Sequence, residues 1–183
     1  MFLKNKSKNS TGFTLIELLV VISIIALLSS IVMSALNSAR MKARDTKRIQ
    51  DLKQIQIALE LYKDDHGGKY PNVSCTSAWC TSNTGSWITL QNEIGSKYIS
   101  SLPTDPINSG VWPFYITGPS SGYTYAYLTN NSCADGSCYD LVAQLEDVNN
   151  PYTCAVKNYY YNAGGVFWCA TFSTFSPQIY SPQ

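Results

Sequence analysis

From Phe13 to Leu36 the chain runs for 24 residues with one charged side chain, Glu17, and with neither proline nor glycine. At about 1.5 Å per residue a helix of that length reaches about 36 Å, enough to cross a bilayer core of ~30 Å. The segment therefore spans a membrane, or is built to leave one for a similarly dry environment. A secretory signal peptide has a shorter apolar core, with a small-residue cleavage site on its far side. Here the run is too long, and the small residue, Gly12, precedes it. A cut at Gly12 would leave the span on the mature protein.

The helical pattern does not stop at the membrane edge. Ile49, Leu52, Ile55, Leu59 and Tyr62 recur at steps of three and four, one stripe of a 3.6-residue period. No proline occurs before Pro71, and Gly67-Gly68 supplies a stop. The pattern predicts one helix from Phe13 to about His66, apolar all round in its first half and striped in its second. The second half is expected to pack on a domain.

Charge is unevenly placed. The first 12 residues carry Lys4, Lys6 and Lys8, and residues 40 to 53 carry six bases against Asp45 and Asp51. From Asp64 onward eight acids face three lysines, a balance of −5. All six cysteines, Cys75, Cys80, Cys133, Cys138, Cys154 and Cys169, lie beyond residue 70. An even count in a polar domain attached to a membrane segment implies an oxidising compartment and disulfides. Six cysteines allow fifteen connectivities; nearest-neighbour pairing (75 with 80, 133 with 138, 154 with 169) closes the shortest loops and is the expectation. Zinc is disfavoured, because the C-x-x-C spacing is missing and His66 is the one histidine.

A carboxylate within a span costs on the order of 3 kcal/mol on insertion scales unless it finds a partner. Glu17 lies near the end of the run, where it can snorkel to the interface. Alternatively, cleavage after Gly12 creates an α-amino group on Phe13, one helical turn from Glu17. In a bundle of parallel, staggered helices that amine and a neighbour's Glu17 can pair, and the charge then acts as an assembly register.

"KNSTGFTLIELLVVISIIALLSSIV" resembles the class III signal and N-terminal helix of type IV pilins and type II secretion pseudopilins. "LKQIQIALELYKDDHGGKYP" is similar to the helix end and following loop of major pseudopilins, and "SLPTDPINSGVWPFY" is a looser likeness further on. The resemblance implies that a prepilin peptidase cuts between Gly12 and Phe13 and methylates the Phe13 amine. It also implies that Glu17 neutralises that amine on an adjacent subunit during extraction into a homo-oligomeric helical filament by an assembly platform in the cytoplasmic membrane. Ser34 stands where many members carry a proline. Charge counting leaves topology open, with three lysines before the span and five bases from Arg40 to Arg48 after it. The cysteines and the family both place the leader in the cytoplasm and the distal domain outside. The basic flank is then expected just outside the membrane, against headgroups or acids of neighbouring subunits.

Beyond the helix the pattern turns to β. "GYTYAYLT" and "CYDLVAQLE" alternate, "VFWCATF" is a third, more apolar run, and "NNSCADGSC" and "NNPYTC" read as turns. These predict an antiparallel sheet with one dry face over the helix stripe, in an α+β pilin fold. Ser86 to Gly95 reads as a short helix with Trp87, Leu90 and Ile94 on one side.

The expected segments are a leader at 1–12, an assembly helix at 13–39, an amphipathic half at 40–66 and a disulfide-stapled head at 67–183. His66 between a helix end and two glycines offers no catalytic triad, and there is no phosphate loop, so no enzyme is expected. Cofactors are expected to be none; Asp135 and Asp140 are weak calcium candidates, on the analogy of loops in major pseudopilins. Tyr159 to Tyr161, Phe167 and Trp168 read as cross-strand packing ahead of a contact surface.

The leading function is a structural filament subunit, pilus or pseudopilus, lying in the cytoplasmic membrane before assembly and at the cell surface after it. A DNA-capturing pilin would use the basic run Arg40 to Lys53, although the acidic head disfavours nucleic acid. An uncut single-span protein with an extracellular binding domain is the third reading.

Overall fold

The computed structural model describes residues 12–73, 75, 79–110, 122–129, 136–147 and 149–152, together with strand backbone at 162–163, 166–167 and 179–180. The chain divides into two compact units, Met1–Arg40 and Met41–Gln183. One helix, α1 (Leu15–Asp65), supplies residues to both.

In the first unit α1 is apolar on every side, and none of its most apolar stretch is buried. Phe13 is 89% exposed and Ile16 69% exposed. Such a surface is stable only in lipid or against other apolar surface, and a helix suits it because every backbone bond is made within the segment. The hydroxyls of Ser23 and Ser30 donate back to the carbonyls of Val20 and Leu27, each at 2.8 Å, so these polar groups are also satisfied inside the helix.

In the second unit α1 buries Leu52, Ile55, Ala58, Leu59 and Tyr62, the stripe expected from the period, with Ile49 packed at its margin. The helix ends where Gly67 and Gly68 take φ +65° and +83°, and the Gly68 N–H reaches back to the Lys63 carbonyl at 3.0 Å. That six-to-one bond is a Schellman closure, which requires the left-handed backbone that glycine adopts without strain.

Helix α2 (Ser86–Ile94) turns Trp87, Leu90 and Ile94 into the same core. A four-stranded antiparallel sheet completes it, in the order β1 (Cys80–Thr81), β2 (Tyr125–Thr129), β3 (Tyr139–Gln144) and β6 (Ile179–Tyr180). Tyr125 pairs with Ala143 and Tyr127 with Leu141, so these four residues share the face that joins the core. The α+β pilin architecture read from the sequence is the one observed.

Two details differ from expectation. The opposite face of β3 is not solvated: Asp140 is 2% exposed and Val142 1%. Polar residues on that face led alternation alone to assign it to water. Of the third run, the described residues Val166 and Phe167 lie outside the main sheet: β5 (Val166–Phe167) pairs with β4 (Asn162–Ala163) in a separate two-stranded ladder. The Gly164-Gly165 pair between them is the sequence signature of a tight hairpin. The place beside β3 goes instead to β6, through Ala143 with Tyr180 and Gln144 with Ile179.

A disulfide joins Cys75 to Cys80 at the start of β1, and Cys138 is also disulfide-bonded. Cys133, Cys154 and Cys169 lie outside the described residues, as do Asp135, Tyr159 to Tyr161 and the side chains of Phe167 and Trp168.

Candidate assembly site

Helix α1 opens with a reciprocal cap. Thr14 is its N-cap, and the Glu17 carboxylate Oε2 accepts from the Thr14 N–H at 2.8 Å and from the Thr14 hydroxyl at 2.6 Å. The Glu17 N–H in turn reaches the Thr14 Oγ1 at 3.3 Å. This is a capping box, in which a Thr and a Glu three residues on satisfy donors that the first helical turn leaves over. The carboxylate also sits where the helix dipole favours a negative charge. Glu17 thus has partners in its own chain before any neighbour arrives. Gly12 and Phe13 precede the first turn as non-helical, exposed backbone, and a side chain at Gly12 would meet nothing within 4 Å. A peptide bond in that state is open to a protease. Phe13, Ile16, Glu17, Val20 and Val21 line one shallow, almost wholly apolar cleft.

The second unit holds its share of α1 by charge as well as by packing. Arg48 is fully buried and faces three carboxylates. Its Nε donates to Asp105 Oδ2 at 2.6 Å and its second terminal nitrogen to Asp105 Oδ1 at 3.1 Å. Its first terminal nitrogen donates to Asp45 Oδ1 at 2.8 Å and to Glu146 Oε1 at 2.6 Å. The Tyr123 ring covers the guanidinium at 4.7 Å. Arg44 adds a bond from Nε to Glu146 at 2.7 Å, and Asp45 accepts the backbone N–H groups of Glu146 and Asp147 at 2.8 and 2.9 Å.

Burial opposes the charge on Arg48, but Asp105 and Glu146 outweigh it and raise its pKa further. Burial likewise opposes ionisation of Glu146, and Arg44 and Arg48 reverse it, so its pKa is lowered. The cluster ties α1 to the loop after α2 and to the turn after β3. That loop is held by Trp87, whose indole N–H donates to the Pro103 carbonyl at 3.1 Å, and by Gln91, which bonds the Ile99 carbonyl and the Leu102 N–H. One turn along α1, Asp51 accepts from Lys47 at 2.8 Å and from the buried Tyr125 hydroxyl at 2.8 Å.

Residues 7–33 match the prokaryotic N-terminal methylation motif. The chain is 35% identical over 98 residues to type II secretion system core protein G of Klebsiella pneumoniae, covering 54% of this chain and 69% of that one. It is 35% identical over 102 residues to the protein of the same name in Vibrio cholerae, covering 55% and 68%. It is 30% identical over 125 residues to the type IV wide pilus major component PilA4 of Thermus thermophilus, covering 68% and 92%. The chain belongs to the family of type IV pilins and type II secretion pseudopilins. No solved structure matches it.

For a pilin of this kind the basic run after the span needs a different reading from the one its composition suggests. Arg44, Lys47 and Arg48 pair with acids of their own head, within hydrogen-bonding distance of Glu146, Asp51, Asp45 and Asp105. The expectation that this flank meets headgroups or a neighbour's acids fails for Arg48, which is buried against internal carboxylates, whereas Arg44 and Lys47 keep part of their side chains exposed beside their internal partners. The same pairing engages three of the six bases from Arg40 to Lys53 that a DNA-capturing pilin would use. Among the other candidates, Asp140 lies within β3, opposite Leu128. The His66 ring stacks on Tyr62 at 3.7 Å, with Nδ1 2.7 Å from the Tyr62 carbonyl oxygen.

Sequence reasoning missed two features. The capping box was legible as Thr-x-x-Glu at the head of an apolar run. The Arg48 cluster was not, since its acids lie 57 and 98 positions away; the only local hint was Asp45 three residues before Arg48.

Proposed function

We propose that this chain is a structural subunit of a type IV filament, pilus or pseudopilus. In this reading prepilin peptidase cuts between Gly12 and Phe13 and methylates the new amine. The mature subunit then waits in the cytoplasmic membrane, leader side inward, and polymerises through residues 13–39, while residues 40–66 and 67–183 form the head outside. The observation that carries the reading is the methylation motif over residues 7–33, on a helix whose most apolar stretch is wholly unburied in the single chain. Once such a helix leaves lipid, contact with other copies is the way to keep it dry. The capping bonds to Glu17 all fall on Oε2. A carboxylate accepts more bonds than these, so a neighbour's Phe13 amine can be added without breaking the cap. The function is assembly, and the relatives are structural proteins.

The test is the intact mass and N-terminal peptide of the protein from its native envelope, measured without reductant. A chain beginning at methylated Phe13 and lacking six hydrogens supports both the processing and three disulfides. A chain that keeps residues 1–12 in a cell with working prepilin peptidase overturns the filament reading and leaves a plain membrane anchor.

A further inference from the structure

The likeness to major pseudopilins raises calcium for the loops of this head, and the donors present test it. Calcium takes about 6–8 oxygen ligands from carboxylates, carbonyls and water. Asp140, the calcium candidate within the described residues, is 2% exposed and sits in the β3 ladder opposite Leu128, not in a loop. Among the described residues no group of three or more His, Cys, Asp or Glu side chains is placed to hold a metal ion. Three carboxylates do converge, those of Asp45, Asp105 and Glu146, but on the buried guanidinium of Arg48. Its nitrogens lie 2.6–3.1 Å from four of their oxygens. Other groups that reach these carboxylates are donors as well. Arg44 Nε points at Glu146, the N–H groups of Ile107 and Asn108 at Asp105, and those of Glu146 and Asp147 at Asp45. Such N–H dipoles suit carboxylates that face a hydrogen-bonding cation and would oppose a metal ion set among them, which needs acceptors. The donor set does not fit calcium.

We infer that Arg48, seconded by Arg44, takes the place of a divalent cation in this head. The guanidinium gathers one carboxylate from α1, one from the loop after α2 and one from the turn after β3, and holds those segments together without calcium. The two arginines supply two positive charges, as one divalent ion would. The arrangement needs a guanidinium and not a charge alone. Its rigid fork of N–H donors meets both oxygens of Asp105 along one edge and reaches Asp45 and Glu146 from the remaining nitrogen. A lysine ammonium is a single point on a flexible stem and cannot cover the same oxygens. A cation built into the chain is also neither diluted nor chelated away, so the stability of the head does not follow the metal content of its surroundings. This assignment concerns the head alone and holds whether or not the chain polymerises.

The experiment is thermal melting and amide exchange of the full chain in detergent, without reductant, in EGTA and in ~10 mM calcium chloride. A loop held by calcium with the affinity of extracellular modules, a Kd of about 0.1–1 mM, would gain roughly 5 °C or more in Tm between the two conditions. The parent is expected to melt within about 2 °C of the same temperature in both. In R48K the amides of Ile107, Asn108, Glu146 and Asp147 are expected to exchange at least about tenfold faster than in the parent, in EGTA and in calcium alike. A parent whose Tm falls by about 5 °C or more in EGTA overturns the inference. Parent-like exchange in R48K overturns it too, because any cation on the side chain would then suffice. If R48K does not fold, terbium added to the parent as a luminescent substitute for calcium decides. The expected result is no saturable emission, and emission that saturates and is displaced by calcium overturns the inference.

Discussion

Replacing Arg48 by methionine removes the guanidinium but keeps much of the apolar stem's volume. Asp105, which has no exposed side-chain surface, then loses both of its bonds from the guanidinium, and Asp45 and Glu146 lose one each. Removing one partner from a buried ion pair costs about 3–5 kcal/mol, because the remaining charges stay desolvated. Asp105 keeps bonds from the Ile107 and Asn108 N–H groups, and Asp45 keeps those from residues 146 and 147, which places the expectation within that range and not above it. Against a typical total of about 5–15 kcal/mol this is a large fraction of the head's stability. For a domain of this size it corresponds to a fall in Tm on the order of 10–15 °C. The assay is thermal melting of the full chain in detergent, followed by near-ultraviolet circular dichroism of the buried tyrosines. Adding D105N to R48M should recover part of the loss, since a neutral amide is less costly to bury than an unpaired carboxylate. A variant R48M melting within about 2 °C of the parent would refute the argument that this guanidinium ties α1 to the head.

Three further outcomes are expected. Because Glu146 ionises more readily in the folded head than in the unfolded chain, its contribution is present above the ordinary carboxylate pKa of about 4.3 and is lost as pH falls through its lowered folded value; denaturant titrations at a series of pH values should show this slope, flattened in E146Q. Joint replacement of Cys75 and Cys80 by serine should cost about 2 kcal/mol, from the entropy of the short loop they close, with equilibrium unfolding as the measurement. Replacing Thr14 by alanine removes both the N-cap hydroxyl and its bond to Glu17; the first turn of α1 should lose about 1 kcal/mol, seen as faster amide exchange at residues 15 to 18.

What the sequence made legible is what depends on near neighbours. The α1 stripe, its Gly67-Gly68 stop, α2 with its Trp87 face, and the strands around Tyr125 and Leu141 all follow from periods of two or 3.6 residues and from turn chemistry. Arg48 illustrates the opposite case. Its neighbours made it one of a run of exposed-looking bases, and only the return of the chain at Asp105 and Glu146 makes it a core residue. The second face of β3 failed for a related reason. Asp140 and Gln144 look solvated by residue type, yet they are buried in the assembled head. Residue type reports the average environment of a side chain, and long-range pairing decides the particular one.

The capping box changes what the Glu17 pair can contribute to assembly. Had Glu17 been unpartnered in the membrane, a neighbour's amine would relieve the whole cost of an isolated charge, and that relief would drive subunits together. Instead the carboxylate enters assembly already accepting two bonds from Thr14. An added amine then supplies one more charge-assisted bond, net about 1.5–3 kcal/mol, from which the cost of ordering the free Phe13 terminus is subtracted. The many exposed apolar side chains from Leu15 to Leu36 lie in lipid before assembly on the proposed reading, so against other copies they gain close packing and, on leaving lipid, continued exclusion of water. In the proposed filament, packing of this surface holds copies together, and the Glu17 pair would distinguish one axial position from the next. An E17Q subunit, which keeps an acceptor for the cap but loses the charge, should on this reasoning still associate in the membrane and still be cleaved at Gly12, while failing to extend into ordered filaments.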